Sequence, residues 1–369
     1  MKSLPYYDDL TARQTIKLRE LIKTLPPFAK EFFRAIDSTT QVRTRIAYAY
    51  DLRVFFHFLI DENPAYRNYS VLDFKVSDLD KIESVDLEEY MEYLKVYISE
   101  EQHKHMQNTE QGVFRKMSAL RSFYGYFYKR QLIEKNPTLL VDMPKIREKE
   151  IIRLEADEVA SLLDFVEHGG DHLTGQKLAY YEKTKERDLA IITLLLGTGI
   201  RVSELVGLNV DDVDFRNNGL HLIRKGRKEM TVYFGNEVAD ALEQYIEGSR
   251  KLIIPKEGHE DALFYSMQRR RIGAPRVQNL VKKYAKEVTP LKKITPHKLR
   301  STYGTALYKD TGDIRLVSDV LGHKDINTTA KHYAAMEEER IFLLASQMEP
   351  ETASPPFSAF LLTVFVRVT

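Results

Sequence analysis

The sequence predicts a mainly α-helical protein of two domains with one small antiparallel β-sheet. Three observations predict it. Apolar residues recur at three-to-four spacing through most of the chain. A short charged stretch with one proline, residues 144–150 (PKIREKE), breaks that pattern. Only one pair of neighbouring segments alternates with the period of a strand. The length of 369 residues is comfortable for two domains, and a hydrophobic share of 43% is enough to build two cores.

The elements follow in order. Residues 1–25 read as an N-terminal extension, and residues 26–143 as a helical domain. Its first helix runs from Thr39 to Ile60, where Val42, Ile46, Ala49, Tyr50, Val54 and Phe58 fall on one face. A second begins near Asp86 and carries Tyr90, Met91 and Leu94. A third begins near Asn108-Thr109 and runs through Val113, Met117, Leu120, Phe123, Tyr124 and Phe127, and Asn136-Pro137 closes the region. After the linker 144–150, a second domain spans 151–348 and opens on a helix at Leu154–Glu158. Residues 219–224 and 229–234 both alternate, and the turn between them holds Lys225, Arg227 and Lys228, which reads as a β-hairpin. Residues 349–369 read as a C-terminal tail with no assigned role.

Composition excludes several chemistries. The absence of cysteine removes disulfide frameworks, thiolate zinc sites and cysteine nucleophiles. The 55 basic and 54 acidic residues nearly cancel, so only local clustering of charge can indicate a partner. The N-terminus lacks a signal-peptide core, and the longest apolar run, residues 360–366, is too short to span a bilayer. The expectation is a soluble cytoplasmic protein.

Four segments carry the candidate chemistry. The first is residues 196–205 (LGTGIRVSEL), where an apolar helix, 189–196, stops at a glycine pair and a new helix begins with Arg201 in its first turn. Backbone N–H groups at such a start favour an anion, and Glu204, three residues on, can orient the arginine. The second is the hairpin turn, whose Lys225 could donate a proton. The third is residues 295–300 (TPHKLR). Thr295 suits the N-cap and Pro296 the first helical position, which leaves His297 and Arg300 on one face. The fourth begins with Leu321-Gly322-His323, where Gly322 permits a sharp turn after a helix from Asp313, and ends on a fresh helix bearing Tyr333. Taken singly, each segment reads as ordinary surface, and most of the 21 tyrosines serve packing.

Their order, Arg … Lys … His-x-x-Arg … His … Tyr, resembles the tyrosine recombinase (phage integrase) family. Residues GTGIRVSELVGL and TPHKLRSTYGTALYKDTGD with LGHKDINTTAKHY are most similar to bacterial Xer-type recombinases and mobile-element integrases. The likeness is strong over about 185–340. It implies a helical core-binding (SAM-like) domain followed by a tyrosine-recombinase catalytic domain. One departure is plain: ten residues separate His323 from Tyr333 where nine is common in the family, so the loop at Asp325–Thr328 has to absorb one helical position.

The resemblance implies the following roles. Arg201 and Arg300 clamp the scissile phosphate, and Tyr333 attacks phosphorus to give a 3′-phosphotyrosine. His297 takes the phenol proton, Lys225 protonates the departing 5′ oxygen, His323 hydrogen-bonds the phosphate, and Glu204 supports the geometry. Tyr308 and Tyr303 are fallback nucleophiles, although both precede His323. The bond energy is kept in the covalent intermediate, so neither ATP nor a metal or other cofactor is implied. The partner is double-stranded DNA with specific recombination sites. The chain is expected as a monomer when free and a homotetramer on synapsed DNA, with room for accessory DNA-bending factors and a nucleoid-associated location. A C-terminal segment with Ile341, Leu343 and Leu344 is a candidate for exchange between subunits.

A basic stretch supports a DNA partner. Between Arg269 and Arg300 there are eleven Lys or Arg and one acid, Glu287. The expected DNA contacts are Arg269, Arg270, Arg271, Lys282 and Lys283 here, Arg227 and Lys228 on the turn, and Arg115, Lys116 and Arg121 along one helix of the first domain. The competing readings are a non-catalytic DNA-binding factor and a type IB topoisomerase. A metal-dependent transposase fits poorly, since Asp211, Asp212 and Asp214 lie too close together for its carboxylate triad.

Overall fold

The computed structural model describes residues 6–99, 104–146, 152–224 and 228–322. The chain divides into two compact units, residues 1–149 and 150–369.

The first unit contains α1 (Tyr6–Lys23), α2 (Ala29–Ala35), α3 (Val42–Glu62), α4 (Ser84–Tyr93), a hairpin of β1 (Val96–Ser99) and β2 (Lys104–Gln107), and α5 (Glu110–Lys129). The three helices expected here form within a few residues of their predicted limits. Segment 1–25, set apart as an extension by its sequence, instead carries α1, and Leu18, Leu21 and Leu25 join the core of the unit. That core is aromatic: Phe32, Phe55, Phe56, Phe123, Phe127, Tyr90 and Tyr124 are fully buried, and Phe123 meets Phe32 and Phe127 edge to face. Each such ring contributes roughly 3 kcal/mol through area removed from water.

The second unit contains α6 (Ala156–His168), α7 (Gly175–Thr198), the one-turn α8 (Val202–Leu205), β3 (Val213–Asp214), β4 (Gly219–Arg224), β5 (Lys228–Tyr233), α9 (Asn236–Tyr245), α10 (Ala274–Val288), α11 (Pro296–Thr311) and α12 (Ile314–Leu321). The strands form one antiparallel sheet in the order β3-β4-β5. Leu220 pairs with Val232, and Arg224 pairs with Lys228, so three residues connect β4 to β5. The helix expected at 189–196 is the C-terminal part of the longer α7. That part is apolar on all sides because α6, α9, α10 and α11 pack around it. Among the described residues, no helix is long and apolar enough to cross a membrane.

Candidate active site

α7 ends at Gly199, whose φ of 60° lies in the left-handed region. A Cβ at Gly199 would fall 2.4 Å from the Tyr303 ring, so the close approach of α7 to α11 also requires glycine. Arg201 follows as the extended N-cap of α8, one position outside the helix rather than in its first turn. Its own N–H donates to Glu204 Oε2 at 2.8 Å, and its Nη1 donates to Glu204 Oε1 at 2.9 Å. Glu204 is 4% exposed, so its carboxylate is held by protein partners rather than by water.

α11 starts at Pro296, with Thr295 at the N-cap position, although the Thr295 side chain makes no capping hydrogen bond. Arg300 is buried. It donates from Nη1 to the carbonyl of Gly199 and from Nη2 to the carbonyl of Leu321. Arg201 Nη2 donates to the next carbonyl, that of Gly322, at 2.9 Å. α12, capped by the Asp313 side chain on Arg315 N and Leu316 N, ends at Gly322 with φ 61°. The two arginines from α8 and α11 therefore meet at the C-terminal end of α12, directly before His323. His297 is exposed, yet partial burial of its ring and the nearby charges of Lys298, Arg300 and Arg201 hold its pKa below the ordinary 6.5. It is neutral at pH 7 and able to accept a proton.

Lys225, Arg227, His323 and Tyr333 lie outside the described residues, as do Ile341, Leu343 and Leu344. Lys228 is described only as the first residue of β5. The fallback tyrosines serve packing. Tyr308 is 2% exposed and packs with Val317 and Leu321, while burial raises the pKa of Tyr303, the wrong direction for a nucleophile.

Several expected DNA contacts are placed differently. Lys116 is buried, and its Nζ donates to Asn108 Oδ1 at 2.9 Å, so it lies on no exposed face. Arg121 donates to the carbonyls of Thr138 and Val141 and holds the segment after α5. Arg271 donates to the carbonyls of Val206 and Leu208 and to Asn209 Oδ1, pinning its loop to the segment that follows α8. In each case a cation satisfies backbone carbonyls or a side-chain amide oxygen of the protein, a use that composition cannot distinguish from DNA contact. Arg115 is half-exposed beside buried Asp51. Arg269, Arg270, Lys282 and Lys283 are exposed. Arg270 and Lys283 share a cavity of about 450 Å³ with Tyr180, Arg276 and Asn279, and Lys283 Nζ stands 5.7 Å from the centre of the Tyr180 ring.

Sequence reasoning missed Arg224. It ends β4, and its guanidinium contacts α12 95 and 96 residues away, where no local pattern signals it. Among the described residues, no group of three His, Asp or Glu side chains is arranged to hold a metal ion.

Residues 152–340 match the model of the phage integrase family. Tyrosine recombinase XerC of Caldanaerobacter subterraneus subsp. tengcongensis is 37% identical over 86% of this chain and 85% of its own length. Tyrosine recombinase XerD of Oceanobacillus iheyensis is 32% identical over 76% of this chain and 92% of its own. Among solved structures, the XerH site-specific recombinase in a post-cleavage complex with its palindromic difH substrate aligns with a TM-score of 0.59 at 18% identity, covering 84% of this chain and 80% of that one. The Tn1549 transposon integrase bound to circular-intermediate DNA aligns at 0.57 and 21%, covering 82% and 93%. At these identities the structural likenesses establish the fold.

Proposed function

Because the chain belongs to the phage integrase family and is therefore a tyrosine recombinase, a DNA strand-exchange enzyme, we propose that the Tyr333 phenol cuts one strand at a phosphodiester held by Arg201 and Arg300. The observation that carries this reading is the meeting of the two guanidinium groups on the successive carbonyls of Leu321 and Gly322, one residue before His323. Planar guanidinium forks match phosphate oxygens and neutralise the charge that builds as phosphorus becomes five-coordinate. Glu204 holds Arg201 in orientation, so its charge is presented without reorganisation.

The phenol oxygen forms a bond to phosphorus, and the bond from phosphorus to the 5′ oxygen breaks. The phenol proton passes to neutral His297, since an unperturbed phenol titrates near about 10 and does not ionise alone at pH 7. Lys225 supplies the proton for the departing 5′ hydroxyl, and His323 donates to a phosphate oxygen. The 3′-phosphotyrosine keeps the ester, so a 5′ hydroxyl from a second strand reverses the step and reseals it. Exchange between two duplexes through a Holliday junction needs cut sites side by side, which we assign to four copies of the chain on paired sites. The XerC and XerD relatives favour a two-domain Xer-like enzyme acting on a defined double-stranded site. Arg269, Arg270, Lys282 and Lys283 are assigned to DNA phosphates on the basis of their exposure, and Arg227 and Lys228 on the basis of their place beside Lys225 in sequence.

The experiment is covalent trapping on a nicked suicide duplex carrying the sequence that the wild-type chain selects from random DNA. Wild type forms an adduct, in EDTA as well. Tyr333→Phe binds the duplex and forms none. An adduct of undiminished yield in Tyr333→Phe removes Tyr333 from the reaction.

A further inference from the structure

Arg224 has a side chain only 10% exposed. Its Nη2 donates to the carbonyl of Val320 at 2.7 Å, and its Nη1 reaches that of Asp319 at 3.5 Å. Its Nε lies 3.8 Å from Glu204 Oε1, the same oxygen that accepts from Arg201 Nη1. A Cβ on Gly322 would fall 2.0 Å from Arg224 Nη1, so the guanidinium lies directly against the Gly322 backbone. Three guanidinium groups thus take four successive carbonyls at one helix end: Arg224 those of residues 319 and 320, Arg300 that of 321, and Arg201 that of 322.

Helix capping alone does not account for this. Water or one cation satisfies the last carbonyls of an ordinary helix, and a cation there contributes only about 0.3–1 kcal/mol. Placing Arg201 and Arg224 together on the Glu204 carboxylate opposes folding, since Arg224 Nε is buried without a hydrogen-bond acceptor and burial disfavours its charge. The arrangement is explained by what it fixes. Glu204 and the last turn of α12 are locked together, and each also holds a candidate phosphate-binding arginine.

We infer that Arg224 is a positioning residue for strand cleavage, holding Glu204 and the end of α12 so that Arg201 and Arg300 keep one mutual orientation. The inference rests on the reading that those two arginines bind the scissile phosphate. The Arg224 side chain is largely covered, and no DNA contact is assigned to it.

The test uses the full chain with Arg224→Met and Arg224→Lys on the suicide duplex. Arg224→Met binds DNA within roughly threefold of wild type, because no exposed cation is lost. Its adduct forms at least about tenfold more slowly, since small displacements of catalytic groups cost that much or more. Arg224→Lys recovers part of the rate, restoring the charge beside Glu204 but not the two-carbonyl fork. With a neutral methylphosphonate at the scissile position, the gap between Arg224→Met and wild type narrows, because less charge has to be neutralised. With a 5′-bridging sulfur leaving group the gap persists. A wild-type cleavage rate in Arg224→Met overturns the inference. So does a defect confined to DNA affinity, or one closed by sulfur, which would tie Arg224 to its neighbour Lys225 instead. If Arg224→Met unfolds below the assay temperature, Arg224→Lys run on the same three substrates decides by the same pattern. Arg201→Lys run in parallel separates the two failures. An unchanged rate there defeats the phosphate-site reading, whereas a slow Arg201→Lys beside a normal Arg224→Met defeats only the role of Arg224.

Discussion

Arg201 Nη2 donates to the backbone carbonyl of Gly322 at 2.9 Å, across 121 residues of sequence. The same guanidinium is held by Glu204, three residues away. One side chain thereby joins the start of α8 to the end of α12, and its planar fork carries more donors than these bonds use. A lysine ammonium is a compact point charge without the planar fork, so it does not reproduce the geometry toward Glu204, Gly322 and a phosphate together. Arg201→Lys is therefore expected to lower the single-turnover cleavage rate by about 10²–10³-fold with DNA affinity nearly unchanged. The check is adduct formation at saturating duplex. A loss seen only in affinity would mean that Arg201 binds DNA without stabilising the transition state.

Lys225 is assigned the proton for the leaving oxygen. Lys225→Ala should slow cleavage of ordinary DNA by about 10²–10⁴-fold and approach wild type on a substrate with a 5′-bridging sulfur, which leaves without protonation. Comparing the two substrates by adduct kinetics checks this, and equal defects on both rule out the general-acid role.

His297 is held below its ordinary value by partial burial of its ring and then by the cations around it. Its task needs the neutral ring. Cleavage should decline as pH falls and the ring gains a proton, with the midpoint of that decline below the ordinary 6.5. His297→Gln should be slow throughout and lack that decline. A pH–rate profile of adduct formation shows which holds, and a wild-type midpoint above 6.5, or the same decline in His297→Gln, would contradict the neutral-acceptor role.

Burial raises the pKa of Asp51 from 3.8 to about 6, against the opposing pull of Arg115 and then Lys116. The folded chain therefore holds a proton that the unfolded chain has released. Stability from this group is full below about pH 4 and is lost as pH rises through about 6, amounting to roughly 3 kcal/mol. Asp51→Asn should flatten the fall in stability between pH 4 and 6. Denaturant unfolding, followed at several pH values, measures it. An equal fall in both proteins would place the titrating group elsewhere.

Much of the fold was legible because its elements are long and locally consistent. α3 and α5 carry apolar faces over five or more turns, and β4 and β5 alternate on either side of a short connection. The β1–β2 hairpin was not legible. Its strands have four residues each, Val96 and Ile98 are exposed, and KHMQ has no strand-like alternation. α1 was missed for a related reason: its mean composition is polar, and only Leu18 and Leu21 are buried.

Basic residues show the limit most clearly. Lys116, Arg121 and Arg271 look in sequence like the exposed Arg269, Arg270, Lys282 and Lys283, yet each is fastened to an internal acceptor. Arg224 looks in sequence like the end of a strand, yet its guanidinium donates to the last turn of α12, where Arg201 and Arg300 also donate.

The sequence by itself determined the family, the helical class and the residue types that strand cleavage needs, because periodicity and ordered motifs are properties of the linear chain. Tertiary structure alone decided which cations face solvent and which are committed to carbonyls, and that Arg201, Arg224 and Arg300 converge on one helix end. Those outcomes depend on acceptors that folding brings close from separations between 8 and 121 residues, and a hydrogen bond acts only over a few ångströms whatever the sequence separation.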